Sequence, residues 1–146
     1  RYYHDIIGYN MRMGGLEGAS LSVKLKYLDS WNSNRIKIAN EYFSKINNPK
    51  IQFQIIPEGT ESVFHVLVVL VEDRDVFVKF LSDHCINAAF HYPVPCHLQR
   101  AYANLGHKEG DFPHSERLAS HCVSLPMYAE LEEAQVQHVI NVVNKY

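Results

Sequence analysis

The 146-residue sequence is poor in cysteine, in long apolar runs and in net charge, and each shortage closes off a class of protein. Its three cysteines, Cys85, Cys96 and Cys122, form no CxxC pair. Neither a disulfide scaffold nor a zinc ribbon is therefore expected, and a reducing, cytoplasmic setting is. The longest aliphatic run, Val66 to Val71, is far too short to cross a bilayer, and no stretch reads as a signal peptide. A formal net charge of -2 supplies no field to gather nucleic acid or an anionic membrane. Also missing are a P-loop, a GxSxG elbow, an HExxH pair and a glycine-rich dinucleotide fingerprint.

What remains is a composition, 47% hydrophobic and 21% charged, that suits a globular chain able to bury one ordinary core. The opening Arg1-Tyr2-Tyr3-His4 reads like the interior of something longer, so an excised or truncated piece is expected.

The first clear periodicity is helical. Leu21, Leu25 and Leu28 recur along one stripe, which Ile36, Ala39, Phe43 and Ile46 continue until Asn47-Asn48-Pro49 stops it. A helix of that length usually crosses between two bodies of structure. Strands are expected at Lys50–Ile55 and at Val63–Val71, the second as a central strand buried on both faces, with a third at Ile86–Tyr92. Asp73 can cap a helix carrying Val76, Phe77, Phe80 and Leu81. Short helices are expected around His97–Leu105 and His114–His121, and a last helix carries Val136, Val139, Ile140 and Val143. The fold class is therefore α+β: a long N-terminal helix, then a small, mostly antiparallel sheet covered by helices. Residues 1–48 would form the interdomain segment and long helix, and 49–146 the small domain.

Two clusters can carry chemistry. In Gly8-x-Asn10-x-Arg12, an extended backbone points Asn10 and Arg12 the same way. The helix start beyond, at Met13-Gly14-Gly15, adds N–H groups and a positive dipole end, so a phosphate dianion would fit. Equally, Asn10 can simply cap the helix while Arg12 pairs with a surface acid. The second cluster runs from His91 to Gln99, where Pro93 and Pro95 stiffen a loop bearing two imidazoles, a phenol and an amide. Such a loop suits a hydroxyl-rich ligand, and Pro93 is a candidate cis proline. A metal site from His91, Cys96 and His97 matches no ligand spacing, so no metal is expected. Of the nine histidines, His65 reads as a satisfied core residue, and His107, His114, His121 and His138 as surface residues.

Taken in order, the motifs resemble the DegT/DnrJ family of nucleotide-sugar aminotransferases. They are Tyr2-Tyr3-His4, Gly8-Tyr9-Asn10, Arg12-Met13, Leu16-Glu17-Gly18-Ala19, Val23-Lys24-Leu25 and Trp31-Asn32-x2-Arg35. His91-Tyr92-Pro93-x-Pro95-x-His97-x-Gln99, Ala101-Tyr102, Gly110-Asp111-Phe112-Pro113-x2-Glu116 and Ser124-Leu125-Pro126-Met127 complete the set. The resemblance implies the small C-terminal domain of a fold-type I enzyme that uses pyridoxal 5'-phosphate. Such an enzyme moves an amino group, usually from glutamate, onto the keto-sugar of a nucleotide diphosphate. It implies a homodimer in which Asn10, with Arg12 close by, reaches the cofactor phosphate of the other chain. It also implies that His91, Tyr92 and His97 approach the sugar.

The lysine that would hold the cofactor lies upstream by the same resemblance, and the sequence's own lysines read as surface residues. No catalytic residue is therefore expected here, and the fragment alone should be inactive. A dehydratase of the same family, with histidine in place of that lysine, would look identical over these residues. A stand-alone, non-catalytic module is the other alternative, against which the unpartnered apolar stripe of the first helix argues. Gly14-Gly15 and Glu17 depart from the family pattern, as does Ala129-Glu130-Leu131-Glu132 before the last helix, where a capping hydroxyl is lost.

Overall fold

The computed structural model describes residues 8, 9 and 11–146. They fall in two compact units, Arg1–Ser30 and Trp31–Tyr146. The chain belongs to the α+β class, with five helices and a three-stranded antiparallel sheet among the described residues.

The first unit holds α1 (Gly15–Leu25), which buries none of its residues; Leu16, Leu21, Val23 and Leu25 all stand exposed. Its first turn is closed by Glu17, whose Oε2 accepts the Gly14 N–H at 2.8 Å. The helix expected to run unbroken to Ile46 stops instead at Leu25 and restarts as α2 (Leu28–Lys45). Two tightened bonds, Lys26 N–H to the Val23 carbonyl and Tyr27 N–H to that of Lys24, close the first helix. The Ser30 hydroxyl then donates to the Tyr27 carbonyl at 2.7 Å.

In the second unit, α2 buries Ile38, Ala39 and Tyr42, with Ile46 just beyond, so the inward stripe lies close to the one that periodicity suggests. The sheet has the order β1 (Gln52–Phe53), β2 (Leu67–Leu70), β3 (Cys122–Leu125). In the β2–β3 register Leu67 faces Leu125, Val68 faces Ser124, Val69 faces Val123 and Leu70 faces Cys122. Side chains alternate between faces. Leu67, Val69, Val123 and Leu125 thus share one face and belong to the core with Tyr42, Phe77, Leu81 and Val143. Val68, Leu70, Cys122 and Ser124 share the other.

The remaining helices are α3 (Arg74–Asp83), α4 (Pro113–His121) and α5 (Glu133–Val143), with 3-10 turns at Cys96–Leu98 and Arg100–Leu105. Helix α5 buries Val136, Val139, Ile140 and Val143, as its periodicity predicts. On α3, Phe77 and Leu81 are buried but Val76 is 62% exposed, and Asp73 makes no capping bond with its side chain. Full burial of each such leucine, valine or phenylalanine contributes roughly 1.5–3 kcal/mol.

Several strand expectations need correction. The Ile86–Tyr92 segment contributes a single bridge, Ala89 to Ser124, and the third strand is Cys122–Leu125. β2 is shorter than Val63–Val71, because Phe64 takes a left-handed φ of 47° that ends extended pairing before it. Its second face is only half buried, at Val68 and Leu70. His65 is exposed rather than a core residue.

Candidate functional site

The face of the sheet that carries Val68 and Cys122 is the floor of a cavity of about 710 Å3. Val68 and Cys122 line it from below, and α4 contributes Ser115, Leu118 and Ala119. The stretch from His91 to His97 forms one wall; Tyr102, Leu105, His107 and Phe112 form another. Its lining is largely apolar, with a few polar groups among the rings, the usual make-up of a small-molecule site.

The structure brings together the three sugar-contact candidates read from the sequence, His91, Tyr92 and His97. His91 follows the Ala89–Ser124 bridge, and its Nδ1 lies 2.8 Å from Ser124 Oγ. Tyr92 is 72% exposed, its ring centroid 5.2 Å from that of His91. The peptide between His91 and Tyr92 is cis, whereas the bond preceding Pro93 is not.

His97 sits in the 3-10 turn that the two prolines introduce, with its side chain only 8% exposed. Its Nε2 is 2.9 Å from Glu116 Oε1. Glu116 also accepts the N–H groups of Gly110 at 3.0 Å and Phe112 at 3.1 Å. The Gly110 N–H chiefly holds the Glu116 carboxyl below its ordinary range; burial opposes it, and the Phe112 N–H and the His97 contact add smaller downward effects. The carboxylate thereby folds the 106–112 loop back so that Phe112 packs 4.8 Å from the His97 ring and 5.1 Å from that of His107.

Sequence reasoning singled out neither Glu116 nor Ser124 as a site residue, nor Tyr102, His107 or Phe112. Glu116 and Ser124 do lie inside ordered motifs. Nothing in their local spacing shows that each anchors a histidine far away in the chain.

The phosphate candidates are placed differently. Arg12 belongs to the first unit, is exposed, and makes no ion pair or hydrogen bond with another described residue. Asn10 lies outside the described residues. The N-cap position of α1 is Gly14, and its N–H, one of those expected to be free for an anion, is already taken by Glu17. All eight lysines are exposed, and none lines the cavity.

One other alignment imitates a catalytic triad. Ser120 Oγ is 2.8 Å from His121 Nδ1, and His121 Nε2 is 3.1 Å from Glu72 Oε2. The Ser120 hydroxyl, however, is within 2.9 Å of the Glu116 carbonyl one helical turn back, and His121 Nδ1 within 2.9 Å of the Arg117 carbonyl. Both hydrogens are spent on the helix, leaving no base to activate the oxygen. Among the described residues no group of histidine, cysteine or acidic side chains could hold a metal ion, and no helix is long and apolar enough to cross a membrane.

The sequence profile of the DegT/DnrJ/EryC1/StrS aminotransferase family matches residues 1–144. The chain belongs to this family. Across its full length it is 36% identical to the dTDP-3-amino-3,6-dideoxy-alpha-D-galactopyranose transaminase of Aneurinibacillus thermoaerophilus, matching 40% of that protein. The dTDP-3-amino-3,4,6-trideoxy-alpha-D-glucose transaminase of Streptomyces venezuelae is also 36% identical, with 100% of this chain and 39% of that one covered. Among solved structures, S. venezuelae DesV in complex with a ketimine intermediate matches with a TM-score of 0.92 and 36% identity, over 99% of this chain and 39% of its own. A family aminotransferase from Brucella abortus gives a TM-score of 0.87 at 30% identity, covering 99% and 39%. The chain thus spans about 40% of the length of these DegT/DnrJ relatives.

Proposed function

We propose that this chain is the C-terminal part of a nucleotide-sugar aminotransferase, and that its cavity receives the keto-sugar of a nucleotide diphosphate while glutamate supplies the amino group. The observation that carries this reading is the pair of anchored imidazoles, His91 and His97, lining a largely apolar, ring-rich cavity. A sugar offers hydroxyls to the imidazoles and to the Tyr92 phenol, and its C–H faces to the rings and aliphatic walls. Side chains clamped before the ligand arrives lose little further entropy on binding.

Pyridoxal 5'-phosphate, when bound, supplies the electron sink through which the amino group moves. The residues present fit a minor share of that cofactor. Arg12 offers a guanidinium that no other described residue engages, and Asn10 stands two residues away in the sequence. The chain's lysines are all exposed and none lines this cavity. The remaining roles of this chain are to bind and orient the sugar and to keep water away from its apolar side. The bare apolar residues of α1, Leu16, Leu21 and Leu25, support a covering surface from elsewhere, consistent with a homodimer completed across subunits. A cytoplasmic location belongs to the same reading.

Substitutions in the full-length protein separate the two roles. Asn10→Ala and Arg12→Ala should weaken cofactor binding about tenfold or more, corresponding to roughly 1.4 kcal/mol, read by equilibrium dialysis and absorbance, with the dimer intact. His91→Ala and His97→Ala should leave cofactor binding unchanged and raise KM for the sugar nucleotide. A cofactor affinity indifferent to both changes at 10 and 12 would remove the phosphate role, and a KM indifferent to both histidines would remove the sugar role.

A further inference from the structure

Apart from the Tyr42 phenol, Ser124 is the one buried residue with a polar side chain among those described, 5% exposed in a strand whose other members are Cys122, Val123 and Leu125. Packing alone does not ask for a hydroxyl there. The neighbours on its face of the sheet are Val68, directly opposite, and Leu70 and Cys122. A buried hydroxyl is unfavourable unless it is hydrogen-bonded, and Ser124 Oγ has a single partner, His91 Nδ1 at 2.8 Å.

The backbone explains how the two meet. Ala89 and Ser124 exchange both main-chain bonds, Ser124 N–H to the Ala89 carbonyl at 2.8 Å and Ala89 N–H to that of Ser124 at 3.2 Å. In such an antiparallel pair, the residue two further along shares a face with its neighbour's partner. His91 is two residues after Ala89 and so comes over Ser124. The hydroxyl has no other protein acceptor among the described residues, so its hydrogen is best satisfied at Nδ1. That assigns the remaining ring hydrogen to Nε2.

We infer that Ser124 is a positioning residue of this cavity: it holds His91 as the Nε2–H tautomer at a set ring angle, so that Nε2–H donates to an acceptor oxygen of the bound ligand. The ligand class, an oxygen-rich sugar, rests on the reading given under Proposed function; the coupling of Ser124 to His91 does not. Ser124 itself is too buried to touch a ligand, so its effect must run through the imidazole.

Two measurements on the full-length protein test this. In histidine-labelled protein, nitrogen NMR should show His91 as the Nε2–H form, with the Nδ1–H form rising in Ser124→Ala and falling again in Ser124→Thr, which restores a hydroxyl. In a double-mutant cycle read by KM for the nucleotide keto-sugar, Ser124→Ala should raise KM about tenfold, Ser124→Thr should recover most of it, and Ser124→Ala should add nothing in a His91→Ala background. An unchanged tautomer in Ser124→Ala, or losses that multiply in the double variant, would overturn the inference. If the tautomer responds while no sugar nucleotide binds the parent protein, the positioning role stands and the sugar reading falls.

Discussion

The His97 imidazole and the Glu116 carboxylate meet at 2.9 Å although 19 residues separate them in the chain. That contact joins the proline-stiffened wall of the cavity to the first turn of α4. Gly110 and Phe112, in the loop between them, hang from the same carboxylate.

The pH response of this loop follows from that arrangement. The folded carboxyl of Glu116 is held below its ordinary value of 4.5, mainly by the Gly110 N–H. A depressed acid contributes stability that is fully present above the unfolded value and is lost as pH falls through the folded one. Hydrogen exchange at the Gly110 and Phe112 amides should therefore show steady protection near neutrality and lose it only below about pH 4.5. In Glu116→Gln the protection should be weaker at neutral pH and lose most of this acid dependence.

Tyr42 predicts the opposite end of the scale. Its hydroxyl donates to the Pro126 carbonyl at 3.2 Å, and burial, with smaller contributions from Tyr128 and Glu41, raises its pKa. A raised acid stabilises the fold below its unfolded value of 10.0, and that contribution fades as pH climbs beyond it. Tyr42→Phe should cost about 1 kcal/mol at neutral pH by denaturant unfolding. It should also blunt the loss of stability above about pH 10.

Arg35 anchors a third relationship. Its Nη1 reaches the carbonyls of Phe64, His65 and Met127 at 3.5, 3.2 and 3.2 Å, tying α2 to the end of the sheet where β2 begins and β3 ends. Arg35→Ala should lose about 2–3 kcal/mol, the scale of hydrogen bonds made by a charged donor. Arg35→Lys should recover part of the loss, since all three carbonyls converge on one nitrogen and an ammonium also presents its hydrogens from a single atom. Urea unfolding of the two variants checks both statements.

How far these features could be read in advance depended on how local they are. Val136, Val139, Ile140 and Val143 repeat within one helix, and their burial is as periodicity predicts. The third strand was not legible, because Cys122–Leu125 is short and carries a serine, while Ile86–Tyr92 looks more strand-like and pairs only at Ala89. The apolar stripe also runs straight through Lys26 and Tyr27, so nothing in it marks the break between α1 and α2. At the site, His91, Tyr92 and His97 stood out by residue type and by the prolines around them. Their anchors did not, since Ser124 and Glu116 act only through tertiary contacts.

The ends of α2 and α5 have a further consequence. Asn144 accepts the Asn47 N–H through Oδ1 at 2.8 Å and returns a hydrogen to the Lys45 carbonyl at 2.8 Å, while the Asn48 amide donates to the Val143 carbonyl at 2.8 Å. Each helix thus terminates on the other rather than on a glycine of its own. Their last turns should unravel as one cooperative unit, so that loosening either helix would unseat both.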